Sequence, residues 1–350
     1  MGKNSGTTDT KYVARWWTLL DDGRVRCELC PRFCQLRDGQ RGFCFVRSAH
    51  EHRLYLDTYG RSSGFALDPI EKKPLNHFLP ASAVLSFGTA GCNLNCRFCQ
   101  NWDISKAREN HRLTDRATPG EIADLALRSG AKSVAFTYND PVIFAEYAID
   151  TAVECHERGL KTVAVSAGYI NPEPRREFFA VMDGANLDLK GFTEDFYWHL
   201  TGAHLNSVLE TIEYVANDTD CWVELTTLVI PGHNDSSAEI KALAAWIRDH
   251  IGTDVPLHFS AFHPDFKLRD VPPTSSETLQ KARNIALDEG LHFVYTGNVH
   301  YREGDTTFCP GCGEKLVVRD WFQVSENRLE TSSGAAACPR CGRVIPGVWT

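Results

Sequence analysis

The chain has 350 residues, 43% of them hydrophobic, enough to bury one large core and carry small appendages. A net charge of −8 argues against a broad nucleic-acid surface, and no apolar run approaches the roughly 20 residues of a membrane span. Thirteen cysteines in a chain that opens Met1-Gly-Lys-Asn-Ser-Gly, with no apolar signal core, are expected to be reduced and metal-bound in a soluble, cytoplasmic protein.

Residues 1–80 read as an N-terminal region holding Cys27, Cys30, Cys34 and Cys44, within Arg26-Cys-Glu-Leu-Cys-Pro-Arg-Phe-Cys and Gly42-Phe-Cys. Residues 1–50 carry nine Lys and Arg against five Asp and Glu, 301–350 carry six of each, and the middle is left with −12. A basic face at the N-terminus is open, beside the plainer reading of a solvated surface around a metal knuckle. The spacing C-x2-C-x3-C-x9-C suits four thiolates, but only its first pair is a short knuckle of the kind structural zinc sites use. Cys30-Pro31 resembles part of some iron–sulfur runs without matching their spacing. Zinc is the first expectation, an auxiliary iron–sulfur cluster the second and unligated thiols the third.

Residues 81–300 alternate strand-like and helix-like runs. Ala83–Phe87, Ser133–Thr137, Thr162–Ser166, Ala185–Lys190, Trp222–Thr226 and Leu257–Ala261 read as strands. Pro119–Arg128, Val142–Arg158, Pro174–Met182, Ser207–Ala216, Ala238–His250 and Ser275–Glu289 read as helices. Six βα units in a row require parallel strands with crossover helices. A partial (β/α)6 barrel accounts for the order, with a flat doubly wound sheet as the alternative. Cys155 and Cys221 have no ligand companions and read as core thiols.

Directly after the first strand comes Gly88-Thr-Ala-Gly-Cys-Asn-Leu-Asn-Cys-Arg-Phe-Cys-Gln-Asn-Trp102, with Cys92, Cys96 and Cys99 spaced C-x3-C-x2-C. Clusters of the [4Fe–4S] type normally take four cysteines, so three with no nearby fourth point to a cluster with one open iron. A zinc knuckle or buried thiols are the alternatives. The trio sits in a βα loop, at the C-terminal mouth where barrel active sites form. Asn139 and Asp140 follow the second strand in Thr137-Tyr-Asn-Asp-Pro141, which on its own is an ordinary turn. Asp188 and Lys190 end the fourth strand and share a face by period-two geometry; such charges are costly unless paired with each other or bound to a ligand. Residues 301–350 contain Cys309-Pro-Gly-Cys-Gly and Cys338-Pro-Arg-Cys-Gly. These are two knuckles with Gly after the second cysteine, the pattern of a zinc ribbon in which Cys309, Cys312, Cys338 and Cys341 form one tetrahedron.

The trio's spacing and the aromatic Phe98 before its last cysteine resemble the radical S-adenosylmethionine (SAM) superfamily, in which the open iron binds SAM. The segments after the strands resemble the pyruvate formate-lyase activases. That likeness implies that Asn139 and Asp140 stand where Tyr-Asn-Glu-Pro holds the methionine amino group, with Asp one methylene shorter than Glu. It further implies that Asp188 and Lys190 bind SAM, that Val229–Asp235 lies along the adenine, and that His263, rather than His258, is the SAM-contacting histidine. Ser166 would reach the ribose or carboxylate, unless it only caps the turn before Gly168. Asp68-Pro-Ile-Glu-Lys-Lys-Pro-Leu75, His77-Phe78, the N-terminal cysteine segments, Tyr295-Thr-Gly-Asn298 and Ile345-Pro-Gly-Val-Trp349 resemble the AmmeMemoRadiSam system radical SAM enzymes. The resemblance implies reductive SAM cleavage to a 5′-deoxyadenosyl radical that removes a hydrogen atom from a substrate. It also implies a flavodoxin- or ferredoxin-like electron donor and association with Ammecr-type and Memo-type proteins. A protein or peptide substrate is the leading expectation, RNA or a small metabolite the second, and a non-catalytic cluster scaffold the third.

Overall fold

The structure, a computed structural model, describes residues 12–106, 113, 115–332 and 334–350; the opening segment read above for a signal core lies outside them. Its centre is one eight-stranded sheet: β1 (Phe65–Pro69), β2 (Ala83–Phe87), β3 (Ser133–Phe136), β4 (Lys161–Ser166), β5 (Gly184–Asp188), β6 (Trp222–Val229), β7 (Leu257–Ala261) and β8 (Val294–Gly297). Strands adjacent in the chain are adjacent in the sheet throughout. A doubly wound sheet reverses its strand order midway, so this order rules that alternative out. All neighbours from β2 to β8 pair parallel, while β1 runs antiparallel to β2 with Phe65 opposite Phe87. The six strands read from the sequence are β2 to β7. The sheet adds one strand at each edge, so it begins earlier than residue 81.

Between the parallel strands run α1 (Pro119–Arg128), α2 (Ala145–Glu157), α3 (Pro172–Phe179), α4 (Leu205–Asp218) and α5 (Ser237–His250), and α6 (Ser276–Asp288) joins β7 to β8. Local chemistry sets several of their starts. Thr118 and Glu121 form a reciprocal capping box with Pro119 at the first helical position, and the Ser236 and Ser275 hydroxyls accept from Glu239 and Thr278 N–H groups. The parallel strands are mostly buried on both faces, and Phe87, Phe136, Phe144 and Tyr147 form an aromatic cluster under the first two of them. Each such side chain contributes about 1.5–3 kcal/mol by burial.

Residues 12–62 form two small three-stranded antiparallel sheets and a short strand, Arg61–Ser62, and most of their buried apolar residues belong to the same core cluster as the barrel. The C-terminal hairpins have a separate core that takes Phe293 and Tyr295 from the last barrel strand and its approach. The chain end then returns to the barrel: Leu79 N–H donates to Val348 O and Val348 N–H to His77 O, both at 2.7 Å. All thirteen cysteines are free thiols, and Cys155 and Cys221 are buried singly. Among the described residues no helix is long and apolar enough to cross a membrane.

Candidate active site

The loop after β2 carries Cys92, Cys96 and Cys99, and its path is fixed from three sides. At Gly88 a Cβ would stand 2.5 Å from Thr137 O and 2.6 Å from Asn139 Oδ1. At Gly91, with φ +83°, it would stand 2.0 Å from Cys44 O, so neither place admits a side chain. Asn139 wraps the loop's start: its Oδ1 accepts from Thr89 N–H at 3.0 Å, and its Nδ2 donates to Gly91 O at 2.9 Å and the Thr89 hydroxyl at 3.2 Å. Further along, the Asn95 and Arg97 N–H groups donate to Thr201 O (2.7 Å) and Leu200 O (2.8 Å) of a π-type turn over Tyr197–Thr201. Such turns recur at functional sites. From the N-terminal side the Arg32 guanidinium donates to Asn93 O at 2.5 Å and Gly202 O at 2.6 Å.

The three cysteines open onto a cavity of 410 Å³ at the C-terminal ends of the strands. Phe98, Asn139, Asp140, Asp188 and Lys190 line it as well, and Lys73 and Asn298 reach it from opposite edges of the sheet. A wall shared by both edges requires the sheet to curl, as the 3.2 Å contact from Gln100 Nε2, in the cysteine loop, to His263 Nδ1, after β7, also shows. Lys190 Nζ pairs with Asp188 Oδ2 at 2.8 Å, and Asn234 Nδ2 donates to Lys190 O at 2.8 Å, tying the loop after β6 to the pair. Burial opposes the Lys190 charge, but Asp188 and the neighbouring Cys96 thiol hold its pKa above the ordinary value. Burial pushes the Cys96 thiol up to about 12 and the Cys92 thiol upward as well, so metal binding must release their protons.

The other residues singled out in the sequence fall in different places. Asp140 is buried, and its carboxylate accepts from Val142 N–H (3.1 Å), the Ser166 hydroxyl (2.9 Å) and Ala167 N–H (3.0 Å). Burial raises its pKa and these three bonds pull it back. Val165 and Ala167 form the cavity wall, whereas Ser166 between them is spent on Asp140 and on accepting from Gly168 N–H at 3.0 Å. His263 is exposed at the rim. His258 is remote from the mouth, with Nε2 2.7 Å from Glu224 Oε2 near the strand starts; Glu224 also accepts from Asn76 and His77 N–H groups.

Sequence reasoning singled out Asp68–Leu75 but gave it no place in the site. Asp68 accepts from Lys72 and Lys73 at 2.8 Å and from the Tyr138 hydroxyl at 3.0 Å, and both lysines and Tyr138 line the cavity. Burial would raise the Asp68 pKa, yet these three donors hold it down to about 2. Two adjacent lysines four and five residues after an aspartate were a legible signal, but not a locating one without the antiparallel strand β1.

In the C-terminal region Cys309 Sγ lies 3.5 Å from Cys341 Sγ and Cys312 Sγ 3.6 Å from Cys338 Sγ, a group that could hold a metal ion.

The profile of the Radical SAM superfamily matches residues 87–244, the span from the end of β2 into α5. The chain is 42% identical over 332 residues to the uncharacterized protein MJ0808 of Methanocaldococcus jannaschii, covering 95% of this chain and 98% of that one. It is 23% identical over 224 residues to the pyruvate formate-lyase 1-activating enzyme of Escherichia coli, covering 59% and 89%. Among solved structures, Streptococcus suis SuiB bound to its precursor peptide SuiA matches with a TM-score of 0.50 at 16% identity, over 66% of this chain and 52% of that one, a likeness of fold. The chain belongs to the radical SAM superfamily and is related to the pyruvate formate-lyase activating enzymes.

Proposed function

We propose that this chain cleaves SAM at a [4Fe–4S] cluster held by Cys92, Cys96 and Cys99 and removes hydrogen from a protein or peptide. The observation that carries the reading is the single cavity onto which three thiols, the Asp188–Lys190 pair and Asn139 all open. The donor set fits the group that superfamily membership implies: three thiols on one constrained loop, no fourth cysteine among the described residues lining their cavity, and charged side chains of both signs facing them. When bound, cluster and SAM supply the 5′-deoxyadenosyl radical, and the protein's task is binding and orientation.

Each residue's part follows from its contacts. Asn139 holds the cysteine loop at its start, and Asp140, locked by Ser166, fixes the turn beside it. Lys190 offers a cation to the SAM carboxylate and Asp188 an anion to its amino group, exchanging part of their mutual bond for the ligand. Phe98 supplies an apolar wall that keeps water off the loop. His263 and Gln100 stand where a ligand enters.

Support for a protein substrate comes from the activase relatives, the first of which is named for activating another enzyme. The rim also fits a polypeptide: Trp102 stacks on Phe266 at 5.7 Å and donates to Asp265 at 3.2 Å, an aromatic ledge with a polar edge. Ammecr-type or Memo-type proteins are the partners to try first, and a flavodoxin- or ferredoxin-like protein the electron donor. The C-terminal four cysteines take zinc in this reading, because their sulfur spacing matches a single tetrahedral ion. A cytoplasmic location agrees with thirteen free thiols. Anaerobic turnover with deuterated candidate partners tests the substrate class. Deuterium in 5′-deoxyadenosine from a protein supports it, and deuterium only from RNA or a small metabolite overturns it.

A further inference from the structure

We propose that Cys27, Cys30, Cys34 and Cys44 hold a second iron–sulfur cluster of the four-iron type, not the zinc ion that their first knuckle invites. These four cysteines form a site separate from the barrel cavity, whichever substrate the barrel takes.

The three cysteine sets of this chain calibrate one another. A tetrahedral thiolate-bound ion, with metal–sulfur bonds of about 2.3 Å, brings its sulfurs to about 3.8 Å from each other. The C-terminal set has that spacing, and among the described residues it is the one group of three or more metal-binding side chains whose donor atoms all lie within 4.8 Å of one another. Neither Cys92, Cys96 and Cys99, the set that superfamily membership assigns to a cluster, nor Cys27, Cys30, Cys34 and Cys44 form such a compact group. Thiolates on the outer corners of an iron–sulfur cube are spread to about 6 Å, so wide spacing is what a cluster requires.

The N-terminal four nevertheless converge. All line one buried cavity of 20 Å³, closed on its other sides by residues that include Leu29, Phe43 and Ile143. That space equals about one water molecule. A single ion clasped by four thiolates leaves no such gap. Backbone geometry agrees: each C-terminal knuckle turns through a glycine after its second cysteine, Gly313 at φ +72° and Gly342 at φ +73°. The N-terminal knuckle has Pro31 there instead, and Cys34 and Cys44 come from separate turns.

Asn93, next to Cys92, closes one side of this cavity, and Cys44 O lies against Gly91. The two thiolate sets are therefore neighbours across a single layer of backbone.

Metal and acid-labile sulfide analysis of the anaerobically reconstituted full chain tests the proposal, alone and with Cys92, Cys96 and Cys99 all replaced by Ala. The expected result is about eight irons, eight sulfides and one zinc per wild-type chain, and about four irons and four sulfides in the triple variant, whose reduced-state electron paramagnetic resonance signal does not respond to SAM. About four irons and two zincs in the wild type, or a folded triple variant with zinc and no iron, would overturn it. Should the triple variant not fold, the wild-type stoichiometry decides alone.

Discussion

Replacing Lys190 by Met separates a ligand-binding charge from a structural one. Asp188 and Lys190 pair at 2.8 Å with side chains 29% and 16% exposed, at the mouth. The pair is partly solvated, so its loss should cost the fold only about 1 kcal/mol, a Tm fall of roughly 2–4 °C. Met keeps the length of the stem, which limits lost packing. A charge-assisted hydrogen bond to the SAM carboxylate contributes about 1.5–3 kcal/mol, so SAM affinity should fall about 10- to 150-fold. Anaerobic calorimetric titration of SAM into the reconstituted variant measures the second quantity and thermal unfolding the first. An unchanged Kd with a Tm fall beyond roughly 8 °C would refute the assignment and make the pair structural.

Asn139→Asp places a second carboxylate oxygen where Nδ2 now donates to Gly91 O, so the cysteine loop should loosen and iron at that site should fall by half or more on the order-of-magnitude cost of an unpaired buried acceptor; iron per chain checks this. Glu224→Ala removes the acceptor of two backbone N–H groups and His258; stability should drop by about 3–5 kcal/mol in chemical denaturation while the iron content of folded protein stays unchanged. Asp68, held down to about 2 by Lys72, Lys73 and Tyr138 against its burial, contributes stability in full above its unfolded pKa of about 3.9 and loses it as pH falls through 2. Asp68→Asn should therefore cost about 2 kcal/mol at neutral pH and flatten the acid limb of urea-denaturation stability between about pH 4 and 2.

The repeating βα order and the helix positions were legible because buried parallel strands and capped helices leave strong local patterns: Thr118-Pro-Gly-Glu121 announces α1 before any tertiary contact is known. The cysteine trio was legible for the same reason, as its spacing is local. What stayed hidden depends on long-range closure. β1 joins the sheet antiparallel by pairing with β2, and without that register Lys72 and Lys73 have no place in the cavity. Ser166 looked like a ligand contact at a strand end, but alternation turns it toward Asp140. The π-type turn that accepts from the cysteine loop carries no sequence signature beyond Gly202. His258 and His263 lie on or just after one strand, and only the position of Glu224 on the neighbouring β6 shows that His258 is held away from the mouth.

In the proposed function, Cys92, Cys96 and Cys99 support reductive cleavage of SAM. Its most direct test is dithionite-dependent formation of 5′-deoxyadenosine by the anaerobically reconstituted protein, compared with Cys96→Ala. The wild type should form 5′-deoxyadenosine and methionine in equal amounts and the variant none above background. Formation by Cys96→Ala at the wild-type rate, or none by a wild type that carries its full complement of iron, would contradict it.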